Sequence, residues 1–253
     1  MLLKDKIAIV TGAARGQGAS HARHLAGEGA KVIVTDILDD LGKAVAEEIR
    51  ESGGEAEYVR LDVRNSDEWS AVVGDVVKRY GTVDVLVNNA GVCEFAPPAE
   101  CSDEEWAYVN DTNAGGVFKG CRAVIPVMQQ HGGGTIVNTA SVQAVKGTAD
   151  YTAYQASKAA VLGITRSVAL TYSKENIRAN AVAPSVVDTP MFHRELEHFA
   201  QNEWFDFDAW LEMQPISRAS QPEEVSKMVV FLASDLSSYS TGGVFPVDGG
   251  LLA

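Results

Sequence analysis

Short apolar runs alternate with longer stretches of mixed polarity along most of the chain. The runs are rich in valine and isoleucine, which favour strands. Ile7–Val10 and Val32–Val34 are apolar at consecutive positions, a pattern typical of strands that are buried on both faces of a parallel sheet. The seven predicted strands are Lys6–Thr11, Lys31–Asp36, Ala56–Asp62, Val83–Asn88, Thr135–Ser141, Arg178–Ala183 and Val244–Val247.

Helix-length segments separate these runs. Asp39–Ser52 is followed by two glycines, which stop a helix. Ser66–Tyr80 begins with a serine that we expect to be its N-cap, and Gly81 is expected to end it. Tyr151–Lys174 is a longer predicted helix whose small residues allow close packing against a neighbour. Strands that alternate with helices in this way predict an α/β fold, a parallel sheet with helices on both faces.

One segment departs from the alternation. Between Asp188 and Arg218 the pattern contains no strand, and the segment is rich in aromatic residues. A segment of this length between two elements is usually a lid or a binding segment. We therefore expect residues 188–218 to form a substrate-binding lid inserted within one catalytic domain, 1–253, although the rings could instead form a small local core. The aromatic residues are Phe192, Phe199, Trp204, Phe205, Phe207 and Trp210.

Composition narrows the class of partner. Hydrophobic residues make up 46% of the chain, which is enough to bury a sizeable core, and the formal net charge is -13. This acidity argues against a nucleic acid or an anionic membrane as partner, because both need a basic face. No run approaches the roughly 18 apolar residues of a membrane span, and the N-terminus lacks the features of a signal peptide. We expect a cytoplasmic protein with a small-molecule substrate.

The cysteine and histidine spacing does not indicate a metal site. Cys93, Cys101 and Cys121 form no CxxC pair, so free thiols are expected. His21 and His24 could share one face of a helix. They lack the third ligand that a metal ion needs, so we predict no metal.

A glycine-rich segment, Thr11–Gly18, lies between the first predicted strand and the first predicted helix. Gly12, Gly16 and Gly18 allow a tight turn and a close approach of the backbone to a diphosphate. The free N–H groups at the start of the helix, including that of Gln17, can then bind the phosphates. The segment therefore predicts a dinucleotide-binding turn.

Asp36 indicates which dinucleotide binds. It ends the second predicted strand, eighteen residues after Gly18, where a carboxylate can accept hydrogen bonds from the adenosine ribose hydroxyls. A 2′-phosphate about 4 Å from this carboxylate, at an effective dielectric near 20, would cost roughly 4 kcal/mol per charge. Arg15 could pair with such a phosphate and recover part of that cost. We predict NAD, and leave open whether some NADP is accepted through Arg15.

The ends of the next two strands add further cofactor candidates. Asp62 and Val63 follow the third strand, where they are placed to touch the adenine. Asn88 and Asn89, followed by Ala90 and Gly91, end the fourth strand. The asparagines can tie neighbouring strand ends together, and Gly91 leaves room for the cofactor, although the same residues would also suit a plain polar turn.

A catalytic group is predicted at the same edge of the sheet. Tyr154 and Lys158 are four residues apart on a predicted helix, and so lie on one face. Ser141 lies thirteen residues before Tyr154, at the end of a strand, and Asn113 comes earlier. All four are expected at the carboxyl ends of the strands, where ligands of open α/β sheets bind.

With these motifs in order, the sequence resembles the short-chain dehydrogenase/reductases over essentially its whole length. The resemblance implies a single-domain doubly wound (Rossmann) sheet of seven strands, a catalytic group of Asn113, Ser141, Tyr154 and Lys158, and usually a homotetramer. Ser185 departs from the family, which commonly has glycine after the proline that ends the sixth strand. The matching residues are Thr11, Gly12, Gly16, Gly18, Asp62, Asn88, Asn89, Ala90, Gly91, Asn113, Ser141, Tyr154, Lys158, Pro184, Thr189, Asp248, Gly249 and Gly250, and Pro184, Val187 and Thr189 are expected near the nicotinamide.

The chemistry follows from the charge that develops on the reacting oxygen. Tyr154 can give that oxygen a proton, and Ser141 can hold it by a hydrogen bond. A free tyrosine has a pKa of about 10, and a positive Lys158 about 5 Å away would lower it by roughly two units. The resemblance implies that Lys158 also binds the nicotinamide ribose and that Asn113 holds a water.

These features predict an NAD-dependent oxidoreductase for a secondary alcohol or ketone with an apolar, cyclic body, such as a cyclic alcohol or a steroid. One alternative is a 3-oxoacyl-[acyl-carrier-protein] reductase, which would favour NADPH and a basic docking patch. Another is a sensor that binds NAD(H) without catalysis. The sequence leaves the substrate, the stereochemistry and the direction of reaction open. The expected substrate contacts are Ser141, Gln143, Tyr154, Ser185, Phe192 and Trp204.

Overall fold

The structure, a computed structural model, describes residues 1–201 and 206–253 of the chain. All seven predicted strands are present, and they form one sheet in which every neighbouring pair is parallel. The strands are β1 (Ile7–Thr11), β2 (Lys31–Asp36), β3 (Glu55–Arg60), β4 (Val85–Asn88), β5 (Gly134–Thr139), β6 (Ile177–Pro184) and β7 (Val244–Val247).

The strand order is β3-β2-β1-β4-β5-β6-β7. The chain builds outward from β1 to β3 and then returns to the other side of β1 with β4. This reversal leaves a crevice at the carboxyl ends of β1 and β4, which is where ligands of doubly wound sheets bind. The predicted fold class is therefore confirmed.

Helices cover both faces of the sheet. One hydrophobic cluster joins the sheet to α3, α5 and α6, and a second joins it to α1, α2 and α9. Ile7 and Ile9 of β1 belong to the first cluster, while Ala8 and Val10 belong to the second, so a continuous apolar run serves two cores. The helices are α1 (Gly16–Gly27), α2 (Asp39–Glu51), α3 (Ser66–Tyr80), α4 (Asp103–Asn110), α5 (Gly116–Gln130), α6 (Thr152–Tyr172), α7 (Pro190–Phe199), α8 (Phe207–Glu212) and α9 (Pro222–Ala233).

Two features of these elements bear on the site. A π-helical turn, Asp111–Gly115, joins α4 to α5, and such turns are often found at functional sites. Strand β3 ends two residues earlier than predicted, so Asp62 lies in the loop beyond the sheet rather than within the strand.

The segment between β6 and α9 contains α7 and α8 and is tied at its base by a bridge between Val187 and Ser220. Phe192 packs against the rings of Phe207 and Trp210, with centroids 6.2 and 6.1 Å away. Two further aromatic residues predicted for this segment, Trp204 and Phe205, lie outside the described residues.

The N-cap of α3 differs from the prediction. The side chain of Asn65, rather than that of Ser66, accepts hydrogen bonds from the backbone N–H groups of Asp67 and Glu68, at 2.9 and 3.3 Å. Both residue types make good caps, and the extended backbone of Asn65 decides between them. Ser66 is instead the first helical residue.

We expect Asn65→Ala to lower the free energy of unfolding by about 1 kcal/mol, because two N–H groups of the first turn lose their acceptor. Ser66→Ala is the matched control and should change it by less than about 0.5 kcal/mol. Urea unfolding at one fixed protein concentration measures both. A larger loss for Ser66→Ala than for Asn65→Ala would contradict this assignment.

Candidate active site

A cavity of about 500 Å³ opens at the carboxyl ends of the strands, at the reversal of strand order. Two predicted site residues, Gly18 and Asn113, lie behind its lining, and Trp204 lies outside the described residues. The predicted residues that do line it are Gly12, Arg15, Gly16, Gln17, Asp36, Asp62, Val63, Asn89, Ala90, Gly91, Ser141, Gln143, Tyr154, Lys158, Pro184, Ser185, Val187, Thr189 and Phe192.

The glycine-rich turn shows why side chains are excluded there. Gly12 has a φ of +63°, and a Cβ on it would lie 2.7 Å from the Cα of Ala90. A Cβ on Gly18 would lie 2.1 Å from the carbonyl oxygen of Gly12, so this glycine serves the close packing of α1 against the turn. Gly18 therefore shapes the wall without lining it.

The start of α1 is open to a ligand. No side chain caps it, so its first N–H groups keep their capacity to bind an anion. Within the described residues, the buried side-chain oxygen of Gln17 has no hydrogen-bond partner; as an acceptor it suits a donor group of a ligand and not a phosphate. The turn thus fits the diphosphate of a dinucleotide.

Asp36 is fixed at the end of β2. Its Oδ1 accepts from the N–H groups of Ile37 and Leu38, at 2.7 and 3.0 Å, and its Oδ2 accepts from Ala14 at 3.0 Å. A carboxylate has about four lone-pair sites, so capacity remains for a ribose hydroxyl. Arg15 is exposed on the same cavity and, among the described residues, forms no ion pair.

The adenine candidates are held by neighbours. Arg64 binds the carboxylate of Asp62 through Nε and a terminal nitrogen, at 2.9 and 2.6 Å, and this hydrogen bonding holds the pKa of Asp62 below its usual value. Val63 packs over α5, where a Cβ on Gly116 would lie 2.8 Å from the Val63 side chain. Both residues remain part of the cavity wall.

The predicted tie between strand ends is present. The hydroxyl of Thr11 accepts hydrogen bonds from the N–H groups of Asn89 and Ala90, both at 3.0 Å. The side-chain amide of Asn89 donates to the carbonyl oxygens of Thr11 and Gly12, at 3.0 and 3.2 Å. The ends of β1 and β4 are thereby locked together.

A second buried tie joins β4 to β5 and α6. Asn88 donates to the side-chain oxygen of Asn138 at 2.9 Å, and Asn138 donates to the hydroxyl of Thr165 at 2.9 Å. Sequence reasoning pointed to Asn88 but missed Asn138 and Thr165. Their pairing depends on strand register, which a single sequence does not show.

Lys158 and Tyr154 lie together on α6. The ammonium of Lys158 donates to the carbonyl oxygen of Thr139 at 2.8 Å and lies 5.6 Å from the centre of the Tyr154 ring. Lys158 is only 4% exposed, and burial lowers its pKa to about 8. The predicted pair is thus present, with the lysine close to its titration range.

The expected low pKa of Tyr154 is wrong for the protein alone. Burial raises the pKa of its phenol above the usual value, and a hydrogen bond with Ser141 opposes that rise only in part. Desolvation penalises a phenolate and an ammonium separately, so it acts against both Tyr154 and Lys158. Burial is therefore the largest influence on the pKa of Tyr154.

Ser141 follows β5 and caps a short 3₁₀ turn, Val142–Ala144. Its hydroxyl oxygen accepts from the N–H of Gln143 at 3.1 Å, which leaves the hydroxyl proton to be donated within the cavity, to Tyr154 or to a ligand oxygen. Within the described residues, the buried side-chain oxygen of Gln143 has no partner. Both side chains can therefore bond to a ligand.

Asn113 occupies the π-helical turn and is completely buried. Its amide nitrogen donates to the carbonyl of Val92 and to the hydroxyl of Ser157, at 2.8 and 2.9 Å, and its oxygen accepts from the N–H of Val92 at 2.8 Å. Both amide hydrogens are thus used by the loop after β4 and by α6, while the amide oxygen keeps one lone pair. The side chain positions these elements rather than facing the cavity.

Ser185, the departure from the family pattern, has a specific partner. Its hydroxyl donates to the side-chain oxygen of Gln214 at 2.5 Å. Gln214 is 3% exposed, lines the cavity and, within the described residues, has no partner for its amide nitrogen. No sequence signal marked Gln214, because it follows α8 without a motif.

The outer wall of the cavity comes from the segment after β6 and is largely apolar. Phe192 lines it as predicted, and two polar residues that sequence reasoning missed, Tyr151 and Glu195, line it as well. Tyr151 lies one helical turn before Tyr154, which is a spacing that could have indicated it. The apolar residues of this wall are Met191, Phe192, Trp210 and Met213.

Within residues 1–201 and 206–253, no helix is long and apolar enough to cross a membrane. In the same part of the chain, no three His, Cys, Asp or Glu side chains form a group that could hold a metal ion. Cys93, Cys101 and Cys121 are free thiols, as the sequence predicted.

The chain is similar in sequence to a known protein family and to proteins named as dehydrogenases. A family model described as enoyl-(acyl carrier protein) reductase matches residues 12–252. A 3-alpha-(or 20-beta)-hydroxysteroid dehydrogenase of Mycobacterium tuberculosis is 44% identical over 99% of this chain and 91% of that protein. A cyclopentanol dehydrogenase of Comamonas testosteroni is 39% identical over 99% of this chain and 98% of that protein.

The chain is also similar to an acyl-carrier-protein reductase and to a reductase of known structure. A 3-oxoacyl-[acyl-carrier-protein] reductase of Chlamydia trachomatis is 39% identical over 99% of this chain and 98% of that protein. The crystal structure of levodione reductase matches with a TM-score of 0.94 and 31% identity, over 98% of both chains. Each of these four relatives is named as a dehydrogenase or a reductase.

We expect Asn113→Ala to lower the free energy of unfolding by about 1–3 kcal/mol, because buried backbone groups of Val92 lose their partners. Gln143→Ala is the control from the cavity wall and should cost much less, since its side-chain oxygen has no protein partner. Thermal unfolding at one protein concentration compares the two. Equal stability of Asn113→Ala and the parent would show that the side chain does not hold the fold.

Proposed function

The chain belongs to the short-chain dehydrogenase/reductase family, and from this premise we propose that it transfers a hydride between NAD(H) and a secondary alcohol or its ketone. The proposed substrates have an apolar, cyclic body, as cyclic alcohols and steroids do. The observation that carries the proposal is that Tyr154, Lys158 and Ser141 meet in one cavity, between a dinucleotide cradle and an apolar outer wall.

A nicotinamide cofactor in this cradle supplies the hydride acceptor or donor. In the oxidation direction, the substrate hydroxyl gives its proton to the phenolate oxygen of Tyr154, which becomes the phenol, while Ser141 donates a hydrogen bond to the reacting oxygen. Lys158 is mostly charged below its pKa of about 8, so at neutral pH it favours the phenolate that burial disfavours. The meeting of the three side chains in one cavity supports these proposed roles.

Asp36 supports NAD over NADP. Its carboxylate is held by three backbone N–H groups, so it cannot turn away from a 2′-phosphate without losing them. By contrast, Arg15 is exposed and, among the described residues, forms no ion pair that fixes its position. At equal distance from a 2′-phosphate, repulsion by the fixed carboxylate of Asp36 outweighs attraction by the guanidinium of Arg15, whose position is not fixed.

The substrate proposal is supported by the outer wall and by the relatives. Arg194 and Arg218, the cationic side chains of this segment, are paired with Glu94 and Glu224. A polyanionic substrate therefore finds no available cation in the described part of the segment. Relatives of this chain are named for a hydroxysteroid and for cyclopentanol, both of which suit an apolar wall.

A second candidate is reduction of 3-oxoacyl groups on acyl-carrier protein, favoured by the relative of that name from Chlamydia trachomatis. Such a carrier is acidic, and this chain has a formal net charge of -13, so the two would repel each other. Asp36 also disfavours NADPH. Both observations place this candidate second.

We also propose a cytoplasmic homotetramer, chiefly on the family resemblance. The helix α6 exposes small residues, including Ala159, Ala160 and Gly163, that allow close helix packing. On α4 and α5, Trp106 and Phe118 are 45% and 50% exposed, which is unusual for large apolar side chains. These faces support contact with further copies of the chain.

For the cofactor, we expect the parent protein to show a higher kcat/KM with NADH than with NADPH. Asp36→Ala should reduce this preference by at least about tenfold, because the repulsion of the 2′-phosphate is removed. Asp36→Ala combined with Arg15→Ala isolates the help that Arg15 then gives to NADPH. Steady-state kinetics with both cofactors measures each ratio, and an NADPH efficiency equal to that of NADH in the parent would refute the NAD proposal.

For the proton donor, we expect Tyr154→Phe to lower kcat by at least about a hundredfold, because general acid–base catalysis is lost. Binding of NADH, measured by fluorescence titration, should stay within about twofold, since the ring remains. Tyr172→Phe at the far end of α6 is the matched control and should keep full activity. If Tyr154→Phe retains most of the parent rate, another group moves the proton.

A further inference from the structure

Helix α7 carries a carboxyl group into the cavity. Glu195 is half-buried, and its Oε1 contacts the hydroxyl of Tyr151, the residue that precedes α6. Both side chains line the cavity that holds Tyr154. Neither belongs to the predicted catalytic or cofactor-binding residues, so this polar pair has a function still to be assigned.

The pair is held in place from several sides. Tyr151 is 4% exposed, and its ring packs against Phe95 and Phe199, with centroids 5.2 and 5.9 Å away. Arg194, next to Glu195 on α7, is drawn away to Glu94 at 3.2 Å. The pair therefore has a defined position between α7, α6 and the loop after β4.

The surroundings of Glu195 contain little that would compensate a negative charge on its carboxyl group. Among the described residues, no cation forms an ion pair with Glu195, and Lys158 is committed to the carbonyl of Thr139. Burial accordingly raises the pKa of Glu195 to about 7. A carboxyl group in such a place gains most from a ligand that donates a hydrogen bond to it.

The distance between Tyr151 and Tyr154 indicates what size of ligand could reach both residues. The rings of Tyr151 and Tyr154 have centroids 6.3 Å apart. A substrate whose reacting oxygen meets Tyr154 would therefore bring a second substituent near Tyr151 and Glu195 when both substituents are carried by one small ring. The apolar wall then contacts the carbon skeleton between them.

We propose that Glu195 and Tyr151 form a second polar subsite, which binds a hydroxyl group carried by the substrate ring away from the reacting carbon. This inference rests on the proposed function and narrows it to cyclic diols and hydroxyketones. The hydroxyl donates to the carboxylate of Glu195, and Tyr151 holds that carboxylate in orientation. The same carboxylate repels a substrate that carries a carboxylate at this position.

The alternative is that the contact between Glu195 and Tyr151 only holds α7 against α6. Such a contact would affect every substrate equally, because it would alter the closure of the cavity over any ligand. A subsite instead changes the ratio between substrates that differ at one substituent. Substrate ratios therefore separate the two roles.

The test compares cyclohexanol, cyclohexane-1,4-diol and 4-hydroxycyclohexanecarboxylate with NAD+ at pH 8, where the carboxyl of Glu195 is ionised. In the parent, kcat/KM for the diol should exceed that for cyclohexanol by about tenfold, as a hydrogen bond to a charged group allows. Glu195→Leu should bring this ratio close to one, mainly through KM for the diol, with cyclohexanol changed by less than about threefold.

Glu195→Gln tests the charge separately, because it keeps the size and a hydrogen-bonding oxygen. It should raise kcat/KM for the carboxylate substrate, relative to cyclohexanol, by at least about tenfold. Glu197→Gln, an exposed carboxylate on the same helix, is the matched control and should leave all three ratios unchanged. Equal diol and cyclohexanol efficiencies in the parent, or an equal change for all three substrates in Glu195→Leu, would overturn the subsite.

Failure of the proposed function has a different signature. If the parent oxidises none of the three alcohols, the proposed function fails, and binding decides the subsite instead. Calorimetric titration of each alcohol into the protein saturated with NADH should then show tighter binding of the diol, lost in Glu195→Leu. Equal binding of diol and cyclohexanol would overturn the subsite independently of turnover.

Discussion

The close junction of β1 and β4 is the constraint on which the rest of the site depends. The hydroxyl of Thr11 binds two N–H groups of the next strand end, and the amide of Asn89 binds two carbonyl groups in return. At this separation only glycine fits at position 12. The same approach brings the start of α1 beside the end of β4, so the dinucleotide cradle is a consequence of how two strands meet.

Burial acts in opposite directions on the groups around the cavity. It lowers the pKa of Lys158 to about 8 and raises that of Tyr154 and of Glu195. Each shift disfavours the charged form in a region of low dielectric. The site is therefore suited to ligands that stabilise the charged forms of these groups. Such ligands are a positive cofactor ring near Tyr154 and a hydrogen-bond donor near Glu195. The second of these matches has no counterpart in the sequence motifs.

Features that depend on local sequence were predicted well, whereas contacts between residues far apart in the sequence were not. The strands followed from continuous apolar runs, and Gly12 and Asp36 from their places beside strand ends. The pairing of Ser185 with Gln214, twenty-nine positions later in the chain, depends on how α8 folds back, and no spacing rule contains it. The N-cap of α3 was predicted one residue too late, because asparagine and serine are equally common caps and the sequence alone does not choose between Asn65 and Ser66. The pKa of Tyr154 was misjudged because burial is a property of the fold.

The two ends of the cavity are built by different means, and this difference bears on specificity. The cofactor end is built around the glycine-rich turn held by strand ends, where a Cβ on Gly12 or Gly18 would lie 2.7 or 2.1 Å from neighbouring backbone atoms. The end where we propose that the substrate binds is lined by side chains of α7 and α8, such as Phe192, Glu195 and Trp210, which lie outside the sheet. Relatives at 39–44% identity are named for a steroid, for cyclopentanol and for an acyl carrier. Substrate choice is therefore expected to depend on single side chains of α7, among them Glu195, a polar residue that lines the same cavity as Tyr154.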